Sequence, residues 1–263
     1  MLWFSARNID FAKVSIHDVD EYLALRRAEG RSVRGQACHC QALRSFFGFA
    51  ETQGWCRSGI PLGIKSPRIP KFDRLAKGPS WTDVRKILKS ADGDTPMLLR
   101  SKAILLLLTI YGLRSSEVSG LRLSDFDWRN ETLTVRRAKR GGVQQYPIQY
   151  EVGEAVLAYL QRGRPRCASR LAFVTAVRPY GRLPGSTMWV TVNDRVQALG
   201  IELPHRGPHA LRHSCATRLL KKGSSLKEIA DFLGHRNTKT VSIYAQFDNV
   251  SLRKVAAVSL RGL

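Results

Sequence analysis

The sequence predicts a mostly helical α+β protein in two lobes, with one small antiparallel sheet. Three observations carry that expectation. Apolar residues recur at helical spacing in segment after segment of the 263 residues. One stretch, TLTVRRAKRGGVQQYPI from Thr132 to Ile148, reads instead as two strands about a Gly141-Gly142 turn. A proline- and glycine-rich interval from Ser58 to Pro79 interrupts the periodicity and separates a short N-terminal lobe from a larger one. With 43% hydrophobic and 24% charged residues, the chain has the composition of an ordinary globular protein able to bury a core.

The elements follow in order. Residues 16–28 place Val19, Tyr22 and Leu23 at helical spacing, and a second helix over 33–51 aligns Leu43, Phe46, Phe47 and Ala50 before Gly54 stops it. Pro61, Gly63, Pro67, Pro70, Gly78 and Pro79 then alternate with Lys65, Arg68, Lys71, Arg74 and Lys77. That proline density excludes a helix, so residues 61–79 are expected to form an extended basic strap between residues 1–60 and residues 80–248. Ser80 and Asp83 open the larger lobe as a capping box. Two helices follow, broken at Gly112, the second carrying Ser115 to Leu121. Beyond the hairpin, helices are expected at 152–162, 187–198, 209–220 and 225–233, the last with Ser225 and Glu228 as a capping box and Gly234 as its stop. Residues 249–263 hold Val250, Val255, Ala256, Val258 and Leu260 in a short basic helix pattern, marginal in isolation and therefore in need of a docking surface.

Charge names the class of partner. Lys and Arg number 43 against 21 acidic residues, a net charge of +22. Such an excess favours a polyanion, because neutralising phosphates releases condensed counterions. Cys38, Cys40, Cys56, Cys167 and Cys215 are odd in number and form no CxxC pair, which argues against a disulfide scaffold or a structural zinc and for a reducing cytoplasm. The apolar run Ala103–Leu108 is far too short to span a bilayer, and the N-terminal MLWFSARNIDF too short to be a signal peptide.

Four islands in the larger lobe carry chemistry: Tyr111-Gly-Leu-Arg114-Ser-Ser-Glu117, Lys139 in the hairpin turn, Pro208-His209-Ala-Leu-Arg212-His213, and the stretch from Leu233-Gly-His235 to Tyr244. Each has an ordinary reading: a surface arginine, a solvated lysine, a packed tyrosine, or a His209/His213 zinc pair that lacks a third ligand. Taken together they make one phosphoryl-transfer site. Two guanidiniums, Arg114 and Arg212, can grip one phosphate with forked donors. His209 and His235 add donors or a base, Lys139 can protonate a leaving oxygen, and Tyr244 can attack as a phenolate stabilised by neighbouring cations.

The order Arg, Lys, His-x-x-Arg, His, Tyr, with LGH nine residues ahead of Tyr244, closely resembles the tyrosine recombinases, especially the Xer and integrase branch. GLRSSEVSGLRLSDFDW resembles that family's first box, PHALRHSCATRLL its second and IADFLGHRNTKTVSIYAQF its third. The resemblance implies that Arg114, Lys139, His209, Arg212, His235 and Tyr244 are catalytic, with Glu117 supporting Arg114 from behind. It implies a catalytic domain over residues 80–248 and a helical core-binding domain before it; residues 1–60 suffice for the second half of that domain, so its first half is expected to be missing. It implies double-stranded DNA as partner, phosphate contacts from Arg34, Arg44, Lys65, Arg68 and Lys71, a tetrameric synapse in which residues 249–263 dock on a neighbour, and a second recombinase or accessory protein to complete the clamp. No metal and no cofactor are expected. Departures are Ala138-Lys139-Arg140 where Gly-Lys-Gly is common, Gln144 where Arg is common, and Gln246 where His is common. A type IB topoisomerase-like enzyme and a non-catalytic DNA-binding regulator are the alternative functions.

Overall fold

The computed structural model describes residues 2–7, 9–68, 78–137 and 142–234. Lys71, Lys139, His235, Tyr244 and the expected helix over 249–263 lie outside these residues. The chain divides into two compact units, Met1–Arg74 and Leu75–Leu263, and the division falls inside the basic strap. No helix among the described residues is long and apolar enough to cross a membrane.

The first unit is helical: α1 (Leu2–Ala6), α2 (Ile16–Ala28), α3 (Val33–Thr52) and α4 (Ile60–Gly63). Ser15 starts α2 with a reciprocal cap, its hydroxyl accepting from Asp18 N while Asp18 Oδ2 accepts from Ser15 N at 2.8 Å. Val19, Phe47, Ile60 and Ile64 are buried together, and Phe11 stacks on Phe47 with ring centroids 5.8 Å apart. Helix α4 corrects the expectation that nothing helical survives after Ser58. Pro61 sits in the first turn, where a missing N–H costs nothing. Glu51 Oε1 accepts from the N–H groups of Gly59 and Ile60 at 2.6 and 3.1 Å, satisfying the start of that turn from the end of α3.

The second unit is built around α6 (Pro96–Ile110). Ala103, Ile104, Leu105, Leu107 and Leu108 are all fully buried, so the helix is enclosed on every side, as its unbroken apolar run requires. Packed around it are α5 (Trp81–Lys89), α7 (Ser115–Gly120), α8 (Tyr150–Ala158), α9 (Gly185–Ala198) and α10 (Pro208–Lys221), and α11 (Leu226–Leu233) lies against α10. The sheet is antiparallel in the order β1 (Phe126–Asp127), β2 (Thr132–Arg136), β3 (Val143–Pro147), with Leu133 opposite Tyr146 and Val135 opposite Gln144. Strand β1 was not expected; two residues are too few to show a period. The helix expected over 152–162 begins at Tyr150 and gives way to a π turn at Tyr159–Gly163. Ahead of α5, residues 78–80 lie against α10: Ser214 Oγ donates to Pro79 O at 2.5 Å. A Cβ on Gly78 would come within 2.5 Å of Ala210 O, so only glycine permits that approach.

Candidate active site

The break after α6 positions the first box. Gly112 has φ +58, and a Cβ there would meet Leu233 Cδ2 at 2.5 Å and Cys215 Sγ at 3.3 Å, so conformation and crowding both require glycine. The turn hands the chain to α7 with Arg114 as its N-cap residue. Arg114 N donates to Glu117 Oε2 and Arg114 Nη1 to Glu117 Oε1, each at 2.8 Å. The Glu117 side chain has no exposed surface, whereas Arg114 keeps a partly open face.

A second guanidinium shares that carboxylate. Arg137, just past β2, donates from Nη1 to Glu117 Oε2 at 2.9 Å and from Nε to Gln144 Oε1 at 3.0 Å. Its Nη2 donates to Phe232 O at 3.2 Å, to Gln144 Oε1 and to the Tyr146 hydroxyl. Tyr146 in turn donates to Phe232 O at 2.5 Å, and Gln144 Nε2 to Asp231 O at 3.0 Å. Burial pushes the Tyr146 phenol up to about 12, against the opposing pull of Arg137, so it stays a hydrogen-bond donor at neutral pH. Two guanidiniums on one buried carboxylate offset the cost of taking its charge out of water.

Helix α10 supplies the second box. Pro208 opens it, His209 is exposed in its first turn, and Arg212 follows at 4% exposure. Arg212 Nη1 donates to Gly112 O and Nη2 to Leu233 O, the latter at 2.6 Å. Both acceptors lie at helix C-termini, where unpaired carbonyls and the helix dipole favour a cation. His213, one turn beyond His209, is half-buried; burial first, then the neighbouring charges of His209, Arg212 and His205, hold its pKa down at about 4. His205, His209, His213, Trp189 and Asn193 line a cavity of about 820 Å³ beside α10. Among the described residues, no three His, Cys, Asp or Glu side chains are placed to hold a metal.

Of the expected residues, Arg114 and Glu117 are joined directly, and Arg212 is held beside them through Gly112 O, two residues ahead of Arg114, and Leu233 O, next to the Phe232 carbonyl that Arg137 holds; His209 lies on the same helix as Arg212. Lys139, His235 and Tyr244 lie outside the described residues. The described chain reaches Arg137 and Gln144 on the sheet side and Gly234 after α11, and hydrogen bonds join those two places. Arg137 and Tyr146 were not expected in the site, and Gln144 was noted only as a departure from the family's usual Arg. Their signal was available in period-2 alternation, which puts residue 137 on the buried face of Leu133 and Val135, and Gln144 on that of Tyr146. In the first unit Arg34, Lys65 and Arg68 are exposed. Arg44 instead ties α3 to the following segment, donating to Ile64 O at 3.1 Å, to Gln41 Oε1 at 3.0 Å and to Ser66 Oγ.

The family model described as the phage integrase family matches residues 81–249. Tyrosine recombinase XerD of Mycobacterium tuberculosis is 34% identical over 262 residues, spanning 94% of this chain and 83% of that protein. A Sinorhizobium fredii protein named integrase/recombinase y4rA is also 34% identical, over 254 residues and 96% of this chain, but the chain spans only 61% of its length. Among solved structures, the XerH site-specific recombinase bound to palindromic difH substrate superposes with a TM-score of 0.73 at 20% identity, covering 93% of this chain and 72% of that one. By the match over residues 81–249 and the identity with XerD, the chain belongs to the phage integrase family, that of the tyrosine recombinases, and its fold agrees.

Proposed function

We propose that the protein is a site-specific DNA recombinase, integrase or transposase that cuts and rejoins strands through a phosphotyrosyl bond on Tyr244. The observation that carries this reading is that Arg212 of α10 is bonded to the Gly112 turn, which carries the Arg114–Glu117 pair, and to the end of α11, so that three distant segments bring two guanidiniums to one place. Arg114 and Arg212 hold the non-bridging oxygens of the scissile phosphate and stabilise the charge that develops there. Tyr244 Oη attacks phosphorus, giving its proton to a nearby base, for which His209 and His235 are the candidates. The bond to the 5′ oxygen breaks, and Lys139 protonates that oxygen as it leaves. A 5′-hydroxyl from a partner strand then attacks the phosphotyrosine and releases Tyr244. One phosphodiester is exchanged for another, so the cycle needs no nucleotide hydrolysis and draws on no metal or cofactor. Duplex DNA is the substrate, self-association on it brings the strands together in a tetrameric synapse, and an accessory protein or second recombinase completes the complex.

The test uses a nicked duplex bearing the sequence that the protein itself enriches from random-sequence DNA. Wild-type protein should form a covalent adduct with it, undiminished by EDTA, and Tyr244→Phe should bind with unchanged affinity and form none. An adduct with Tyr244→Phe would overturn the assignment of the nucleophile, and a wild type without an adduct would overturn the recombinase reading.

A further inference from the structure

We propose that Arg137 is a positioning residue for DNA cleavage, setting the charge and aim of Arg114 through the carboxylate they share. The inference rests on the recombinase reading, in which Arg114 holds the phosphate. Glu117 Oε2 accepts from both Arg114 N and Arg137 Nη1, while Oε1 accepts from Arg114 Nη1. Arg114 and Glu117 alone would make a neutral pair. With Arg137 the buried cluster carries a net positive charge, and at low effective dielectric a phosphate beside it feels that sum. Arg137 also holds Oε2 in place, which fixes the plane in which Arg114 presents its remaining donors.

A purely structural role does not account for these contacts. The end of α11 is already fastened to the sheet by Gln144, which donates to Asp231 O and Phe232 O, and by Tyr146, which donates to Phe232 O. Arg212 holds Leu233 O as well. Of the sheet residues in this stitch, Arg137 is the one that also reaches Glu117. Its Arg137–Glu117 ion pair is almost fully enclosed, with 9% and 0% of the two side chains exposed, so its charge is not dissipated in solvent.

The test measures single-turnover adduct formation by the full chain on the nicked duplex described above. A second duplex carries a 5′-bridging phosphorothiolate, whose sulfur leaves without a proton. Arg137→Met should bind DNA like the wild type but form adduct roughly 10- to 100-fold more slowly, the size of effect seen when a supporting group behind a reactive centre is lost. The loss should be equal on both duplexes, because what fails is the grip on the phosphate and not proton delivery. Arg137→Lys, which keeps the charge without the fork, should fall between the two. A wild-type rate in Arg137→Met overturns the proposal. Restoration by the phosphorothiolate also overturns it, since Arg137 would then act through Lys139, two residues on in the sequence. If Arg137→Met does not fold, Arg137→Lys decides by the same comparison of duplexes. A wild type that forms no adduct sinks the recombinase reading and this inference with it; the other outcomes bear on Arg137 alone.

Discussion

The two ends of α6 solve one problem with the same side chain and come to different uses. Near its N-terminus, Arg100 is 8% exposed and donates to Val174 O at 2.9 Å. Arg164 lies after the π turn and donates to Ser169 O at 2.7 Å and Leu171 O at 2.9 Å. These guanidiniums satisfy carbonyls of an irregular segment that strand pairing leaves largely unmet. At the C-terminal end, Arg212 and Arg137 do the same for Gly112, Leu233 and Phe232. What differs is Glu117. There, two guanidiniums meet one buried carboxylate, one from three residues ahead of it and one from the far end of β2. A buried arginine is thus no sign of a site by itself; what sets this end apart is a surplus of guanidiniums around a shared carboxylate.

The sharpest way to break that comparison is to remove one arginine from each end. Arg212→Met should slow adduct formation by about 10²- to 10³-fold, as for loss of a preorganised donor at a developing charge. It should also cost roughly 2–6 kcal/mol, because two buried carbonyls lose their partner. Arg100→Met strands one carbonyl and should cost about 1–3 kcal/mol in urea melts, with the cleavage rate of the folded protein unchanged. Equal rate losses in the two variants would erase the distinction between the two ends.

A smaller effect concerns acid. The His213 pKa is held at about 4 in the folded protein, below the 6.5 of a free imidazole, so between these values the unfolded chain binds the extra proton. Stability should therefore be complete above pH 6.5 and fall as pH drops towards 4, losing up to about 3 kcal/mol. His213→Gln should flatten the urea midpoint across that window; an unchanged slope would show that the burial of His213 is not what makes the fold acid-sensitive. The smallest effect separates two arginines of the first unit. Arg34→Ala should lower the slope of log affinity against log salt by about 0.9, one phosphate contact. Arg44→Ala should instead lower stability by about 1 kcal/mol and leave the slope alone, since its guanidinium is spent on Ile64, Gln41 and Ser66.

Much of this was legible in the sequence, and the exceptions have physical reasons. Arg114, Glu117, His209 and Arg212 stand in short contiguous patterns that resemble the family's boxes, and within each box the spacing on a helix or across a cap sets which side chains are neighbours. The fully buried α6 was readable from its apolar run. Helix α4 is hidden in the sequence because proline breaks a helix interior yet fits a first turn, and no local spacing marks which turn Pro61 occupies. Strand β1 is too short to show alternation. Arg137 escaped notice because charged residues beside a hairpin turn are ordinarily solvated. Its burial depends on Glu117 and Phe232, tertiary partners that no local spacing reveals.

The clasp of Gly78 and Pro79 on α10 bears on how this fold can be cut and recombined with others. A chimaera joined at Trp81, the first residue of α5, would look harmless on a helix map. It would nevertheless replace the glycine whose bare backbone lets the chain approach Ala210, and so shift the residue-79 carbonyl away from Ser214. Ser214 shares α10 with Arg212, two residues away, and with His209, five residues away, so a loosened seam would be felt at those two residues rather than at the joint. Exchange of catalytic units between relatives should therefore be tolerated only when the crossover lies upstream of Gly78.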